Sequence, residues 1–224
     1  MNRSTCTAPA RRRLLTALGC APLAALLPQA VRAGQVEEPL ADAVRSALSA
    51  AVGNAAPPKP EFTNGAARAA HRQWLDETGA RLSRRQPDAA SRTEFLETIW
   101  YESKRAGLSP SLVLGVVQVE SGFRRYAISI AGARGYMQVM PFWARLIGDG
   151  DPARLFHPQT NLRFGCVILR HYLDIERGDL SMALGRYNGS RGRPEYPRLV
   201  FGALRQWDVP VEGELRVASV GAVG

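Results

Sequence analysis

Glu120 is the acid whose surroundings in the sequence are least ordinary. Leu112, Val113, Val116, Val117 and Val119 have the spacing of a buried helix, and Ser109 followed by Pro110 marks its start. On that helix Glu120 lies four residues after Val116 and seven after Val113, so it shares their apolar face. Gly122 ends the helix, which puts Glu120 in its last turn, where the macrodipole is negative. Both placements disfavour a carboxylate and raise its pKa. A carboxylic acid kept protonated near neutral pH can give its proton to a leaving oxygen. A helix-end glutamate turned to solvent has the same spacing, so Glu120 alone leaves that alternative open.

Other chemistries find little support. Residues 121–148 contain no Asp or Glu, so the segment after Glu120 offers no partner for a paired-carboxylate mechanism. Glu102, Asp149, Asp174 and Glu176 are expected at helix ends or on solvated faces. His71, His157 and His171 are scattered, no Cys/His cluster has metal spacing, and neither metal nor cofactor is expected. Cys166, among Phe164, Val167, Ile168 and Leu169, reads as a buried thiol rather than a nucleophile. The formal charge is +9, but residues 1–33 hold five arginines and no acid. Without them 24 of the 29 basic residues face 20 acidic ones, an excess of four with no dense basic stripe, which argues against nucleic acid as a partner.

Four motifs follow one another in order. They are Glu120-Ser121-Gly122-Phe123, then Ala131-Gly132-Ala133-Arg134-Gly135-Tyr136-Met137-Gln138-Val139-Met140-Pro141, then Asn161-Leu162-Arg163-Phe164-Gly165 with Tyr172-Leu173, then Ala183-Leu184-Gly185-Arg186-Tyr187-Asn188-Gly189. Over roughly residues 91–207 the chain resembles the soluble lytic transglycosylase family, the family 1 lytic transglycosylases of the lysozyme-like superfamily. The second motif is close to the family pattern G-A-x-G-L-M-Q-x-M-P and the fourth to A-x-A-Y-N-A-G. Tyr136 stands where the family has Leu, and Arg186 where it has a small residue.

The resemblance implies a mainly α fold of the α+β lysozyme-like type, with a cleft and at most a short hairpin. It also implies an enzyme that cleaves the MurNAc–GlcNAc β-1,4 bond of peptidoglycan without water. Glu120 would be the single acid and then base, the N-acetyl group would stabilise the anomeric carbon, and the sugar's own C6 hydroxyl would close a 1,6-anhydro ring. Substrate-binding roles carry over to Ser129, Gln138, Met140, Tyr187, Asn188 and Tyr196. Of these, Tyr187 is expected on Glu120 or the reacting sugar, Gln138 along the cleft, and Ser129 beside the acid or as a turn hydroxyl. Gly132 and Gly135 would let a sugar approach the backbone or would simply turn the chain. Two alternatives stand beside this reading: a hydrolytic lysozyme on the same fold, and a non-catalytic wall-binding or secretion-assembly module.

The elements that must position these residues are helices. Ser91-Arg92-Thr93-Glu94 reads as a capping box, with Phe95, Leu96, Ile99 and Trp100 as the apolar stripe behind it. Pro141 opens a short helix, residues 159–176 form a long one stopped by Gly178, Asp179 caps the next, and Pro194 opens the last. The spacing of residues 126–138 is not helical and reads as loop or hairpin. The chain thus divides into a signal peptide over 1–33, an N-terminal extension with a peripheral amphipathic helix over 34–90, the transglycosylase domain over 91–208, and a tail over 209–224. Arg11-Arg12-Arg13, the apolar run to Leu27 and Val31-Arg32-Ala33 suit Sec or twin-arginine export to the periplasm or beyond. Membrane association is not expected unless Cys20 is lipidated.

Overall fold

The computed structural model describes residues 35–53 and 62–210. The signal segment, the proline-rich stretch after residue 53 and the end of the tail lie outside them. Eight α-helices occur among the described residues: α1 Asp42–Gly53, α2 Gly65–Leu82, α3 Ala89–Arg105, α4 Pro110–Ser121, α5 Pro141–Ile147, α6 Pro158–Ile175, α7 Leu180–Asn188 and α8 Glu195–Trp207. A 3₁₀ turn, Pro152–Phe156, precedes α6. The mainly α expectation holds. In place of a hairpin, residues 122–140 carry two isolated antiparallel bridges, Ile128 to Arg134 and Arg134 to Val139.

Most helix ends fall where their capping residues put them. Ser109 accepts a hydrogen bond from the Leu112 amide, Pro110 opens α4, and Gly122 closes it in the left-handed conformation (φ 58°). Asp179 caps α7 through the Met182 amide. The start of α3 differs from the sequence reading. Asp88, not Ser91, is its N-cap and accepts from the Ser91 amide at 2.8 Å. Ala89 and Ala90 are good helix formers, and with an acid three residues before Ser91 the helix gains its first turn earlier.

Helix α4 is the centre of the core, with Leu112, Val113, Leu114, Val116 and Val117 all buried. It packs most extensively against α8. Gly115 makes this possible, because a Cβ there would stand 3.0 Å from the Leu204 nitrogen and 3.2 Å from the Val200 carbonyl. The two backbones meet with no side chain between them. The long helix α6 lies against α3 and α7 and supplies Leu162, Phe164, Cys166, Ile168 and Leu169 to the interior.

The segments before residue 89 join this core. On α2 the buried stripe is His71, Trp74, Thr78 and Leu82, and the Trp74 and His71 rings lie 5.0 and 4.9 Å from that of Trp100 on α3. Leu48 and Val52 bury one face of α1 near α5 and α6.

Glu102 corrects an expectation. It is wholly buried rather than solvated, and Arg163 of α6 meets it at 2.8 Å, with Arg105 at 3.0 Å on its other oxygen. Arg163 is itself only 5 % exposed. A helical stripe cannot reveal this pairing, because the partner comes from 61 residues further along the chain. Removing one member of such a pair strands the other in the interior. Arg163→Met is therefore expected to cost about 3–5 kcal/mol in urea unfolding, and the double variant Glu102→Met/Arg163→Met to recover most of it. Equal losses in the single and double variants would contradict this.

Candidate active site

Glu120 occupies the penultimate position of α4, and the close α4–α8 contact sets Tyr196 against it. The Tyr196 hydroxyl donates to Glu120 Oε1 at 2.5 Å. Protein surrounds the carboxyl, while the residue as a whole keeps partial solvent access. Burial pushes its pKa up to about 7, against the smaller downward pull of the Tyr196 hydrogen bond. No other charged group enters that balance. Tyr196 is 2 % exposed, and burial first, then the nearby Glu120 charge, raise its own pKa far enough that it remains a donor.

The resemblance puts Tyr187 on Glu120 or on the reacting sugar, but the hydrogen bond to Glu120 comes from Tyr196. Tyr187 lies close enough for the Glu120 charge to raise its pKa, after burial as the larger cause. Its hydroxyl, however, donates to the Met137 carbonyl at 2.7 Å, so it holds the 122–140 loop instead of the acid. Tyr196 makes the contact with Glu120.

That loop is tied from several sides. Gln138 takes a left-handed backbone conformation (φ 48°), and its Nε2 donates to the Ala127 and Gly135 carbonyls at 3.1 and 2.9 Å. It is 4 % exposed, so both amide donors face the loop rather than a cleft. Ser129 accepts from the Ala133 amide at 3.1 Å, the turn-hydroxyl alternative. Gly135 makes room for Asn161 and the Leu155 carbonyl, not for a ligand, whereas Gly132 faces open space.

Asn161 has the largest share in this loop. It is 1 % exposed, accepts from the Met137 amide, and donates to the Arg134 and Leu155 carbonyls, each at 2.8 Å. The third motif contains it, but nothing in its spacing marks it as the loop's anchor. Met140 is half-buried, and its amide donates to Gln35 Oε1 at 3.5 Å. Asn188 donates to Ser190 Oγ at 2.9 Å, while its buried Oδ1 has no protein partner. The loop leaves Tyr126, Ile128 and Ile130 exposed.

The four other acids singled out in the sequence, Glu102, Asp149, Asp174 and Glu176, are each paired with arginine. Glu176 pairs with Arg186 and Arg191, and the Arg191 hydrogen bond above all takes its pKa down to about 2. Its side chain is 7 % exposed under those arginines, a correction to the solvated face expected of it. Asp149 pairs with Arg154, and Asp174 with Arg170. Glu102 is ion-paired in the core with Arg163 and Arg105. Arg186, the unusual residue of the fourth motif, is held by Glu176 and by Glu38 at 2.8 Å. No group of three or more metal-ligating side chains occurs among the described residues.

Residues 97–197 match the Transglycosylase SLT domain family. The resemblance read from the four motifs is thereby borne out for this stretch. A membrane-bound lytic murein transglycosylase C of Actinobacillus pleuropneumoniae serotype 5b (strain L20) is 40 % identical over 84 residues, covering 34 % of this chain and 23 % of that protein. A transglycosylase of Enterobacteria phage PRD1 is 36 % identical over 103 residues, 46 % of this chain and 37 % of its own. The chain thus spans well under half the length of these relatives. The X-ray structure of an inactive mutant of lytic transglycosylase Slt from Pseudomonas aeruginosa matches 63 % of this chain and 27 % of that one, at 24 % identity and a TM-score of 0.41.

The raised pKa of Glu120 has a consequence for stability. The folded chain holds this proton up to about pH 7, whereas the unfolded chain releases it near 4.5. The contribution of this group to stability is therefore fully present below the unfolded value and is lost as pH rises through this window, by up to about 3 kcal/mol. Glu120→Gln has no proton to lose. In urea unfolding its stability relative to wild type should rise between pH 4 and pH 8, and a pH-independent difference would contradict the buried acid.

Proposed function

We propose that this chain is a lytic transglycosylase, cleaving the MurNAc–GlcNAc β-1,4 bond of peptidoglycan to leave 1,6-anhydro-MurNAc ends. The observation that carries the reading is a single enclosed carboxyl with a pKa near 7, hydrogen-bonded by a tyrosine and with no second carboxylate acting on it. The SLT domain match and the names of the relatives support the substrate class.

Glu120 starts protonated and gives its proton to the glycosidic oxygen as the bond to the muramyl anomeric carbon breaks. The substrate's N-acetyl group stabilises the positive charge developing there. Glu120, now a carboxylate, takes the proton from the C6 hydroxyl, whose oxygen closes onto the anomeric carbon. Its proton is restored and no water is consumed. Tyr196 fits both halves of the cycle: its donated hydrogen bond steadies the carboxylate, and burial keeps the phenol from competing as an acid. A pKa near 7 suits a group that must act as acid and base in turn.

The remaining carried-over residues divide by what they touch. Tyr187, Gln138 and Ser129 position the loop beside the acid. Met140 and the exposed Tyr126, Ile128 and Ile130 are left to meet sugar rings, whereas Asn188 is buried and donates to Ser190. The arginine-rich, apolar N-terminus supports export to the wall compartment, and no helix among the described residues is long and apolar enough to cross a membrane.

Purified wild type and Glu120→Gln on sacculi in ¹⁸O-labelled water test this reading by mass spectrometry. Wild type should release 1,6-anhydro products without label, and the variant should lose about 10²–10⁴-fold in rate. Labelled reducing ends would make the chain a hydrolase, and an active variant would remove Glu120 from the chemistry.

A further inference from the structure

A cavity of about 280 Å³ lies between the start of α3 and the loop after α4, and neither Glu120 nor Tyr196 lines it. Part of its wall, Gln86 to Phe95, precedes the SLT match at residue 97, so it is not built from the matched domain alone. Its apolar side is aromatic. The Tyr136 ring sits 4.6 Å from that of Phe95, and Phe95 6.2 Å from Phe123. Tyr136 stands at the position where the sequence departs from the family's leucine, and it adds a hydroxyl to what would otherwise be hydrocarbon.

The polar groups around this floor carry both signs. The Tyr136 hydroxyl accepts from Gln86 Nε2 at 3.3 Å, which leaves its own O–H free to donate. Arg125 is fixed by Nε donating to the Phe156 carbonyl at 3.2 Å, and its two terminal nitrogens remain as further donors. Asp88 and Glu94 line the same cavity with carboxylates. Hydrogen bonding from the Ser91 side chain, and then from its amide, holds Asp88 below the usual carboxylate range, so it is an anion at neutral pH. Arg125, Glu94 and Tyr136 line the same cavity, so a cation and an anion share its wall with the phenol. The Gln86 amide oxygen is a buried acceptor with no protein partner.

Two donors suited to a carboxylate and three acceptors suited to an ammonium thus converge on an aromatic floor. We propose that this cavity is a second binding site, for a zwitterionic amino-acid end, with an ammonium and a carboxylate on one carbon. The source is the peptide stems of the wall polymer, a choice that rests on the function proposed above. Arg125 and the Tyr136 hydroxyl hold the carboxylate, and Glu94, Asp88 and Gln86 Oε1 hold the ammonium. Strands bearing uncross-linked stems are thereby favoured over bare glycan.

Calorimetric titration of the purified protein tests this without relying on catalysis. The probes are a stem tripeptide ending in meso-diaminopimelate, the same tripeptide with its side-chain carboxylate amidated, and free meso-diaminopimelate. The tripeptide should bind saturably, and amidation, Glu94→Gln and Arg125→Gln should each weaken it about tenfold or more, as expected for one charge-assisted hydrogen bond. Both variants should cleave peptide-free glycan at the wild-type rate, since neither residue touches Glu120. No saturable binding, or binding indifferent to amidation and to both variants, overturns the site while leaving the cleavage reading intact. Free meso-diaminopimelate carries the same end and should bind comparably; its failure to bind overturns the assignment to an amino-acid end, and equal cleavage of stem-bearing and bare strands overturns the assignment to wall stems.

Discussion

A carboxyl group enclosed by protein with one hydrogen-bond donor and no counter-charge is an expensive arrangement, and the structure is organised around keeping it. Burial favours the neutral form of Glu120, and the Tyr196 hydroxyl favours the charged form less strongly, so the balance comes to rest near pH 7. That balance depends on the distance between α4 and α8. Gly115 sets the distance, because any side chain there would meet the α8 backbone. A residue without functional groups, five positions before the acid, thus controls whether the phenol can reach the carboxyl. A nearby arginine would have returned Glu120 to an ordinary, ionised state. The arginines of the fourth motif region are instead held by Glu38 and Glu176.

The loop over residues 122–140 has almost no regular structure, and its shape comes from side chains. Asn161 and Tyr187 reach it from α6 and α7, and Gln138 braces it from within. Three side chains, an amide, a phenol and a second amide, satisfy buried backbone groups that a sheet would have satisfied by pairing. The exposed edge of the loop is then free to carry apolar groups and the cavity wall at Arg125 and Tyr136.

Much of this was legible in the sequence. Ser109-Pro110, Pro141, Asp179 and Gly122 name helix ends by local chemistry, and the spacing of Val113, Val116 and Glu120 places the acid on a buried face. What was not legible depends on contacts distant in the chain. Glu102 looks solvated until Arg163 is brought to it. Tyr187 and Tyr196 are equivalent as residue types, and only packing decides that one holds the loop and the other the acid. Gln138 offers a sugar-binding amide on paper, but a left-handed backbone turns both its donors inward. The start of α3 was misplaced because Asp88 and Ser91 are both good caps, and the adjoining alanines, not the cap itself, decide between them.

Enclosure of Glu120 makes it titrate near pH 7 rather than near 4.5, and its titration tests this most directly. Carboxyl-labelled ¹³C-glutamate incorporated into the protein, with Glu120 assigned from the resonance missing in Glu120→Gln, gives the midpoint by NMR. A midpoint of about 7 is expected. A midpoint near the ordinary 4.5 would mean that the carboxyl is hydrated and ionised, and it would contradict the account.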